Sequence, residues 1–336
     1  MLKIRSLELS NYAGFNKRSV FRFTYNNGSY KPLCVFFGPN GCGKSTGLNA
    51  IAVLSRAKAY SKRKKDEENL LLRKMQFHPD YDPNYAGFTK YKEDMEMIAI
   101  FENHVGEELI VHIKDDDVVR NDLASLGSEN VVFIDADHPI NNSKFQIPSE
   151  RIELFLELAE AIYGYKCFVE KPVSATGVEA GSDSLKEIIS VYANNYETIA
   201  SSESTPTVSK EEIYAHLSDH KKAELSFYQD FVIQKGEVKV HYKSMSAGEK
   251  KIATLLRNLC DPAVIDKSDI VLVDNIEMHV YFKRHVKMLE KILEKFPTKQ
   301  FIVTTHSSLM IDHVKKKFGD SCLFDIPIIK GQPLVD

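Results

Sequence analysis

The stretch that decides the fold is GPNGCGKS at residues 38–45, which fits the pattern G-x-x-x-x-G-K-[ST]. The apolar run LCVFF precedes it and predicts a strand, while GKSTGLNAIAVLSRA predicts a helix that opens at Gly43. A strand, a glycine-rich loop and a helix in this order aim backbone N–H groups at phosphate oxygens. We expect Lys44 to neutralise these oxygens and the Ser45 hydroxyl to bind Mg²⁺. The candidate nucleotide-binding residues are Gly38, Asn40, Gly41, Gly43, Lys44, Ser45 and Thr46.

The segment KSMSAGEK at residues 243–250 predicts a second helix N-terminus that can bind an anion. Ser246 begins this helix, and the small residues Ala247 and Gly248 let the backbone approach an anion closely. Residues 38–45 are a phosphate-binding loop, or P-loop, and one fold has one P-loop. The second anion site therefore most simply serves the nucleotide of another copy, which predicts a homodimer. The alternative is an ordinary capped helix. The candidate contacts across the dimer are Ser246, Ala247, Gly248 and Glu249.

Two apolar runs in the last third end in residues that can act on phosphate or metal. IVLVD at residues 270–274 predicts a buried strand that ends in Asp274, an acid placed to reach the Mg²⁺ of the P-loop. Ser45 and Asp274 are therefore the candidate metal ligands. FIVTTH at residues 301–306 predicts another buried strand, and His306 at its end is the candidate sensor of the γ-phosphate. A lone histidine at a strand end can also be structural.

Composition sets the broad class of the protein. Of 336 residues, 43% are hydrophobic and 27% charged, which is typical of an ordinary globular protein. The net charge of -3 excludes strong nucleic-acid binding by bulk charge. Five scattered cysteines without metal-site spacing favour a reducing cytoplasm. The first ten residues lack a signal-peptide core, and no apolar run reaches membrane-spanning length, so we expect no membrane role.

Taken together, these motifs resemble those of the RecF/SMC/OLD-like branch of ABC ATPases. The resemblance places Walker A at 38–45, the signature at 245–249, Walker B at 270–274 and the switch histidine at His306. It implies an α/β P-loop NTPase head of the ABC type, with ATP and Mg²⁺ as cofactors and two heads enclosing two ATP molecules. The expected parts are an N-terminal lobe at 1–145, a helical insertion or lid at 146–234, and a C-terminal lobe at 235–336. The middle is too short and aperiodic for SMC coiled coils, and no Toprim nuclease is expected after His306.

Three departures from that branch bear on its activity. Ala13 stands where the branch commonly has an arginine, and Gln76 is the candidate for the glutamine of the Q-loop. Asn275 follows Asp274 where a catalytic glutamate is usual, and an amide cannot take a proton from water. Glu277 either substitutes as the general base, with His306 orienting the water, or caps or pairs with the following helix. We therefore expect a slow ATPase, with Glu277, His306 and Asn275 as the candidate catalytic residues.

Other features leave alternatives open. Asp135, Asp137 and His138 can be metal ligands or an acidic turn, and the basic run KRKK at 62–65 can grip nucleic acid or be a solvated surface. Two roles fit the ATPase chemistry. One is the sensor or scaffold of a phage-defence system that acts with a separate effector protein; the other is a RecF-like clamp that binds DNA in repair.

Overall fold

The fold is described from a computed structural model of the chain. The described residues are 1–12, 15, 17–57, 94–115, 117–125, 130–135, 149–169 and 231–326. The chain forms two compact units: the first contains Met1–Ile140, Glu153–Gly164 and Ser246–Asp336, and the second contains Asn141–Ile152 and Tyr165–Met245.

The first unit contains a five-stranded antiparallel sheet in the order β2-β1-β4-β5-β6. Apolar residues alternate along its strands, as in β4, where Met97, Ala99 and Phe101 are buried and their neighbours are partly exposed. The sequence predicts two strands, MIAIFEN and ELIVHI, joined as a hairpin at Val105 and Gly106, and the β4–β5 connection confirms this prediction. The strands are β1 (Lys3–Ser10), β2 (Ser19–Arg22), β4 (Glu96–Glu102), β5 (Glu108–Lys114) and β6 (Asp117–Asn121).

A five-stranded parallel sheet, also in the first unit, carries the ends of the predicted motifs. Its order is β13-β3-β12-β11-β7, and its central strands are continuous apolar runs that are buried. Because the strands are parallel, their carboxyl ends meet at one edge, where ligands of open α/β sheets bind. The strands are β3 (Leu33–Phe37), β7 (Val131–Asp135), β11 (Ile270–Asp274), β12 (Gln300–Thr305) and β13 (Leu323–Asp325).

Helices follow several of these strands. The sequence predicts a helix from Met278 to Lys295. The predicted start is wrong, because Asn275 and His279 adopt positive φ angles of 50° and 67° and the helix begins only at His285. Among the described residues, no helix is long and apolar enough to cross a membrane. The helices are α1 (Lys44–Ser55), α2 (Ser149–Tyr163), α3 (Ala247–Cys260), α4 (Pro262–Ile265), α5 (His285–Lys295) and α6 (Ser308–Phe318).

Helix α1 lies against strands of both sheets and carries the core between them. Its apolar residues Leu48, Ile51 and Leu54 are buried in one hydrophobic cluster with residues of β1, β4 and β5. The buried amide of Gln300 joins the sheets as well, because it accepts from the backbone N of Ile4 at 2.9 Å and donates to its carbonyl at 3.2 Å. The helix that opens at the P-loop is therefore fixed on two sides.

The second unit contains a three-stranded antiparallel sheet in the order β10-β9-β8. Strand β9 is buried along Phe231, Val232 and Ile233, while β10 is more exposed. The sequence analysis did not predict β8 or β9, whose pairing joins segments far apart in the chain. The strands are β8 (Lys166–Val169), β9 (Phe231–Lys235) and β10 (Val238–His241).

Candidate nucleotide-binding site

The loop at residues 38–43 joins β3 to α1 and requires glycine at its first position. Gly38 has φ 142°, and a Cβ there would lie 2.4 Å from the carbonyl oxygen of Ile326 and 2.9 Å from Sγ of Cys42. A real side chain does not tolerate such contacts. Gly43, with φ 104°, is the N-cap of α1 and turns the chain into the helix. Both glycines therefore let the chain turn from β3 into the N-terminus of α1, where a helix favours an anion.

Lys44, the first residue of α1, extends its side chain to the backbone of this loop. Its ammonium group donates to the carbonyl oxygens of Gly38 at 3.0 Å and Pro39 at 2.9 Å. The residue is only 5% exposed, so its charge is placed inside the loop rather than in solvent. A phosphate bound by the loop would meet this charge at close range, where the interaction is stronger than in water.

Ser45 and Asp274 lie in direct contact although 229 positions separate them in the chain. The Ser45 hydroxyl donates to Oδ1 of Asp274 at 3.0 Å. The buried Thr304 hydroxyl donates to the same oxygen at 2.5 Å and accepts from the backbone N of Asn275 at 2.7 Å. Thr304, which the sequence analysis did not single out, thus orients the Asp274 carboxylate. The two predicted metal ligands meet at the edge of the sheet.

The segment after Asp274 is a tight turn over residues 275–280. Asn275 has φ 50°, a left-handed conformation that asparagine tolerates better than most side chains. Its carbonyl accepts from the backbone N of Met278 at 2.8 Å, and Glu277 accepts in the same way from Val280 at 3.0 Å. This turn decides where the Glu277 side chain points.

Glu277 faces the loop that follows β12. Its Oε1 accepts from the backbone N of His306 at 2.6 Å. Its Oε2 is buried and has no hydrogen-bond partner among the described residues. The His306 side chain is exposed at the same edge of the sheet. The structure therefore brings together two of the candidate catalytic residues.

The signature segment at the start of α3 forms a capping box. The Ser246 hydroxyl accepts from the backbone N of Glu249 at 3.3 Å, and the Glu249 carboxylate accepts from the backbone N of Ser246 at 2.8 Å. The Tyr163 hydroxyl donates to the carbonyl of Glu249 at 2.6 Å. The Cβ position of Gly248 lies 3.5 Å from Cβ of His279, so the segment borders the turn after Asp274.

Some predictions fall on residues outside those described. These include Ala13, Gln76, Asp137, His138 and the basic run at 62–65, as well as the side chain of Asp135. Within the described residues, no group of three or more His, Cys, Asp or Glu side chains could hold a metal ion by itself. A metal at the Ser45–Asp274 pair would therefore need ligands from phosphate or water, as Mg²⁺ commonly uses.

Known proteins resemble this chain in sequence and in structure. Retron Vc95 probable ATPase from Vibrio cholerae serotype O1 biovar El Tor is 28% identical over 118 residues, which cover 32% of this chain and 23% of that protein. Retron Ec83 probable ATPase from Escherichia coli is 31% identical over 87 residues, which cover 23% of this chain and 16% of that protein. An SMC head domain from Thermotoga maritima has a TM-score of 0.47 and 13% identity over 92% of this chain and 91% of its own. The Smc head domain bound to the C-terminal domain of ScpA, from Pyrococcus furiosus, has a TM-score of 0.45 and 14% identity over 93% and 92%.

A family model described as the RecF/RecN/SMC N terminal domain matches residues 3–321. The matched range begins at β1 and includes the P-loop, the signature segment, Asp274 and His306. It confirms the class of ATPase that the motifs resemble, and the α/β P-loop fold with its mixed sheets and helices. This chain is therefore a member of the RecF/RecN/SMC N-terminal domain family.

Proposed function

We propose that this chain binds MgATP and hydrolyses it slowly, as a switch that closes into a dimer around two nucleotides. One observation carries the proposal: the hydroxyl of Ser45 lies 3.0 Å from the carboxylate of Asp274. Two motifs that lie far apart in the chain thus form one oxygen-rich site, and Lys44 directly precedes Ser45. That arrangement suits a nucleotide whose phosphates share a magnesium ion.

The residues present fit Mg²⁺ in the chemistry of their donors. The Ser45 hydroxyl and the Asp274 carboxylate supply the oxygen ligands that this ion prefers. Bound there, the ion would neutralise charge on the β- and γ-phosphates. Thr304 holds the Asp274 carboxylate in place by donating to the same oxygen as Ser45, and Lys44 supplies the second positive charge.

The dimer is proposed from the signature segment. Ser246 through Glu249 form the N-terminus of a 14-residue helix, where backbone N–H groups and the helix dipole favour an anion. The P-loop of the same chain already has its own helix, α1. The start of α3 is therefore proposed to contact the γ-phosphate bound by a second copy, and ATP would hold the two copies together.

Hydrolysis is proposed to use Glu277 as the general base in place of the missing glutamate at position 275. The Oε1 oxygen of Glu277 holds the backbone of His306, and its buried Oε2 oxygen has no hydrogen-bond partner among the described residues. A carboxylate acts as general base once the attacking water lies within hydrogen-bond reach of it, and Oε2 is the oxygen proposed for that contact. The exposed imidazole of His306 would orient that water. Because the base is at position 277 and not at 275, turnover would be slow.

The biological role is proposed from the relatives that share part of this sequence. Both are named probable ATPases of retrons, and their aligned segments cover less than a quarter of their own lengths. We infer a role in defence against phage, with the ATP-bound dimer holding a separate effector protein until it is triggered. A long-lived ATP state suits such a switch better than rapid turnover.

Thermal unfolding with ATP tests the central part of this proposal. ATP at a hundred times its Kd should stabilise the wild type by about 2.7 kcal/mol in the presence of Mg²⁺. Asp274→Asn should lose the Mg²⁺-dependent part of that gain. Asp312→Asn, at an exposed position on α6, is the matched control and should behave as the wild type. An Asp274→Asn variant that keeps the full Mg²⁺ effect contradicts the assignment of the metal site.

A further inference from the structure

His285, the first residue of α5, is a buried histidine with a hydrogen-bond partner at each ring nitrogen. Its Nε2 lies 2.9 Å from the carbonyl oxygen of Val280, and its Nδ1 lies 2.8 Å from the hydroxyl of Ser307. The residue is 8% exposed. Because a carbonyl can only accept, the tautomer with its proton on Nε2 satisfies the first contact, and the Ser307 hydroxyl then donates to Nδ1. One side chain thus joins the end of the 275–280 turn to the loop after β12.

Ser307 is the residue that directly follows His306. Its hydroxyl also accepts from the backbone N of Met310 at 3.3 Å, which makes Ser307 the N-cap of α6. Its own backbone N donates to the Thr305 hydroxyl at 3.0 Å. The direction of the Ser307 hydroxyl is therefore set by the helix on one side and by His285 on the other.

Glu277 holds the other side of the same loop. The carboxylate of Glu277 accepts from the backbone N of His306, and the imidazole of His285 accepts from the side chain of Ser307. Both holding residues come from the segment that follows β11. The backbone that presents His306 is thus held on both sides by the segment that carries the proposed general base.

We propose that His285 is a positioning residue, which locks the loop of His306 to the turn of Glu277 so that the base and the sensor keep one relative geometry. This inference rests on the proposed function. Loss of the lock should lower kcat, because a shift of about 1 Å in reacting groups can cost about a hundredfold in rate. Nucleotide binding should change little, because Lys44 and Ser45 make no contact with His285 in the described hydrogen bonds.

Three substitutions separate the two contacts of His285. His285→Asn puts an amide near the position of Nδ1 and keeps a partner for Ser307. His285→Gln puts an amide near the position of Nε2 and keeps a partner for Val280. His285→Ala removes both. Since His306 is reached through Ser307, we expect Gln and Ala to lower kcat about tenfold, and Asn to stay within about twofold of the wild type, with KM nearly constant in all three.

Hydrogen exchange of residues 306–314 in the ATP-free protein gives a second readout that needs no turnover. We expect faster exchange in His285→Gln and His285→Ala, and near wild-type exchange in His285→Asn. His313→Gln is the matched control. His313 on α6 contacts Glu290 on α5, so it also joins these two helices but makes no hydrogen bond to Ser307 among the described residues. This control should leave kcat and the exchange of residues 306–312 unchanged, since residue 313 itself is substituted.

The outcomes distinguish this inference from the function on which it rests. Equal losses of kcat in all three His285 variants, with equal losses of thermal stability, would show that the ring only fills space and overturn the positioning role. Wild-type kcat and exchange in His285→Ala would overturn it as well. A wild type without any ATP hydrolysis would contradict the proposed function, while the exchange data would still decide whether His285 holds the loop.

Discussion

At the amino-terminal ends of β11 and β12, polar side chains bind backbone groups of Leu2 and Ile4, whereas at the carboxyl ends the side chains of Ser45, Asp274 and Thr304 bind one another. Asp269 accepts from the backbone N of Leu2 at 2.6 Å, and Gln300 pairs with both backbone groups of Ile4. At the other end, the carboxylate of Asp274 receives the hydroxyls of Ser45 and Thr304. The same two strands therefore serve the fold at one edge and the candidate site at the other.

The carboxyl edge of the sheet contains features that lower the stability of the protein. The carboxyl edge includes Asn275 with a positive φ and a buried Glu277 oxygen without a hydrogen-bond partner among the described residues. Each of these features costs of order 1–3 kcal/mol of stability. A protein keeps such costs where function requires them. Substitutions at the carboxyl edge should therefore change activity more than stability, and those at the amino edge the reverse.

The largest expected effect is at Lys44. Lys44→Ala removes the ammonium group inside the P-loop, so ATP should no longer raise the unfolding temperature, because a ligand that does not bind the native state cannot stabilise it. Thermal unfolding with and without ATP measures this. Without ATP, the variant should unfold near the wild-type temperature, as expected for a residue at the carboxyl edge of the sheet. An unchanged rise of the unfolding temperature with ATP would contradict the assignment of the P-loop.

Gly248 tests whether the carboxyl edge is completed by a second copy. Gly248→Asp would bring negative charge to the start of α3, so ATP should still bind but the dimer should not close. The nearest atom to a Cβ here is 3.5 Å away, so the variant has room to fold. Light scattering with a non-hydrolysable ATP analogue measures closure, and Gly248→Ala is the control that should still dimerise. A Gly248→Asp protein that dimerises like the wild type contradicts the role of the signature segment.

The turn after Asp274 tests the proposal that hydrolysis is slow and uses Glu277. Glu277→Gln keeps an acceptor for the backbone of His306 but removes the proposed base, so turnover should fall by about 10² or more. Asn275→Glu should raise turnover, at a cost of roughly 1 kcal/mol because glutamate fits a left-handed conformation poorly. Asn275→Gly keeps that conformation without a carboxylate and should give no gain. A fast wild type that is insensitive to Glu277→Gln would show that the base lies elsewhere.

The sequence predicted those parts of the site that depend on local patterns. The P-loop, the strand that ends at Asp274 and the strand before His306 are each defined by a run of neighbouring residues. The contacts of Thr304 with Asp274 and of Glu277 with His306 depend on the register of β11 against β12, which no single run contains. The helix start at Met278 was wrong because periodicity does not reveal the left-handed residues Asn275 and His279.

The smallest expected effect lies at the amino edge, at Lys3. Its ammonium group donates to the carbonyl of Thr298 at 2.5 Å, and burial lowers the pKa of Lys3 to about 8, although Asp269 opposes that shift. An unfolded lysine titrates near about 10.4, so between these values the unfolded chain binds more protons than the folded one. The contribution of Lys3 to stability should therefore rise with pH from about 8 to about 10.

Comparison with Lys3→Met isolates this trend from the other titrations. Burial raises the pKa of Cys34, so the unfolded thiol loses its proton first and stability falls with rising pH in both proteins. That opposing slope cancels in the difference between them. Urea unfolding at pH 7.5 and at pH 10 measures the free energy of unfolding of both proteins. The wild type should become more stable relative to Lys3→Met as the pH rises, while ATP binding by the two proteins stays equal. A constant difference would mean that Lys3 is not desolvated, and altered ATP binding would show that the two edges are coupled.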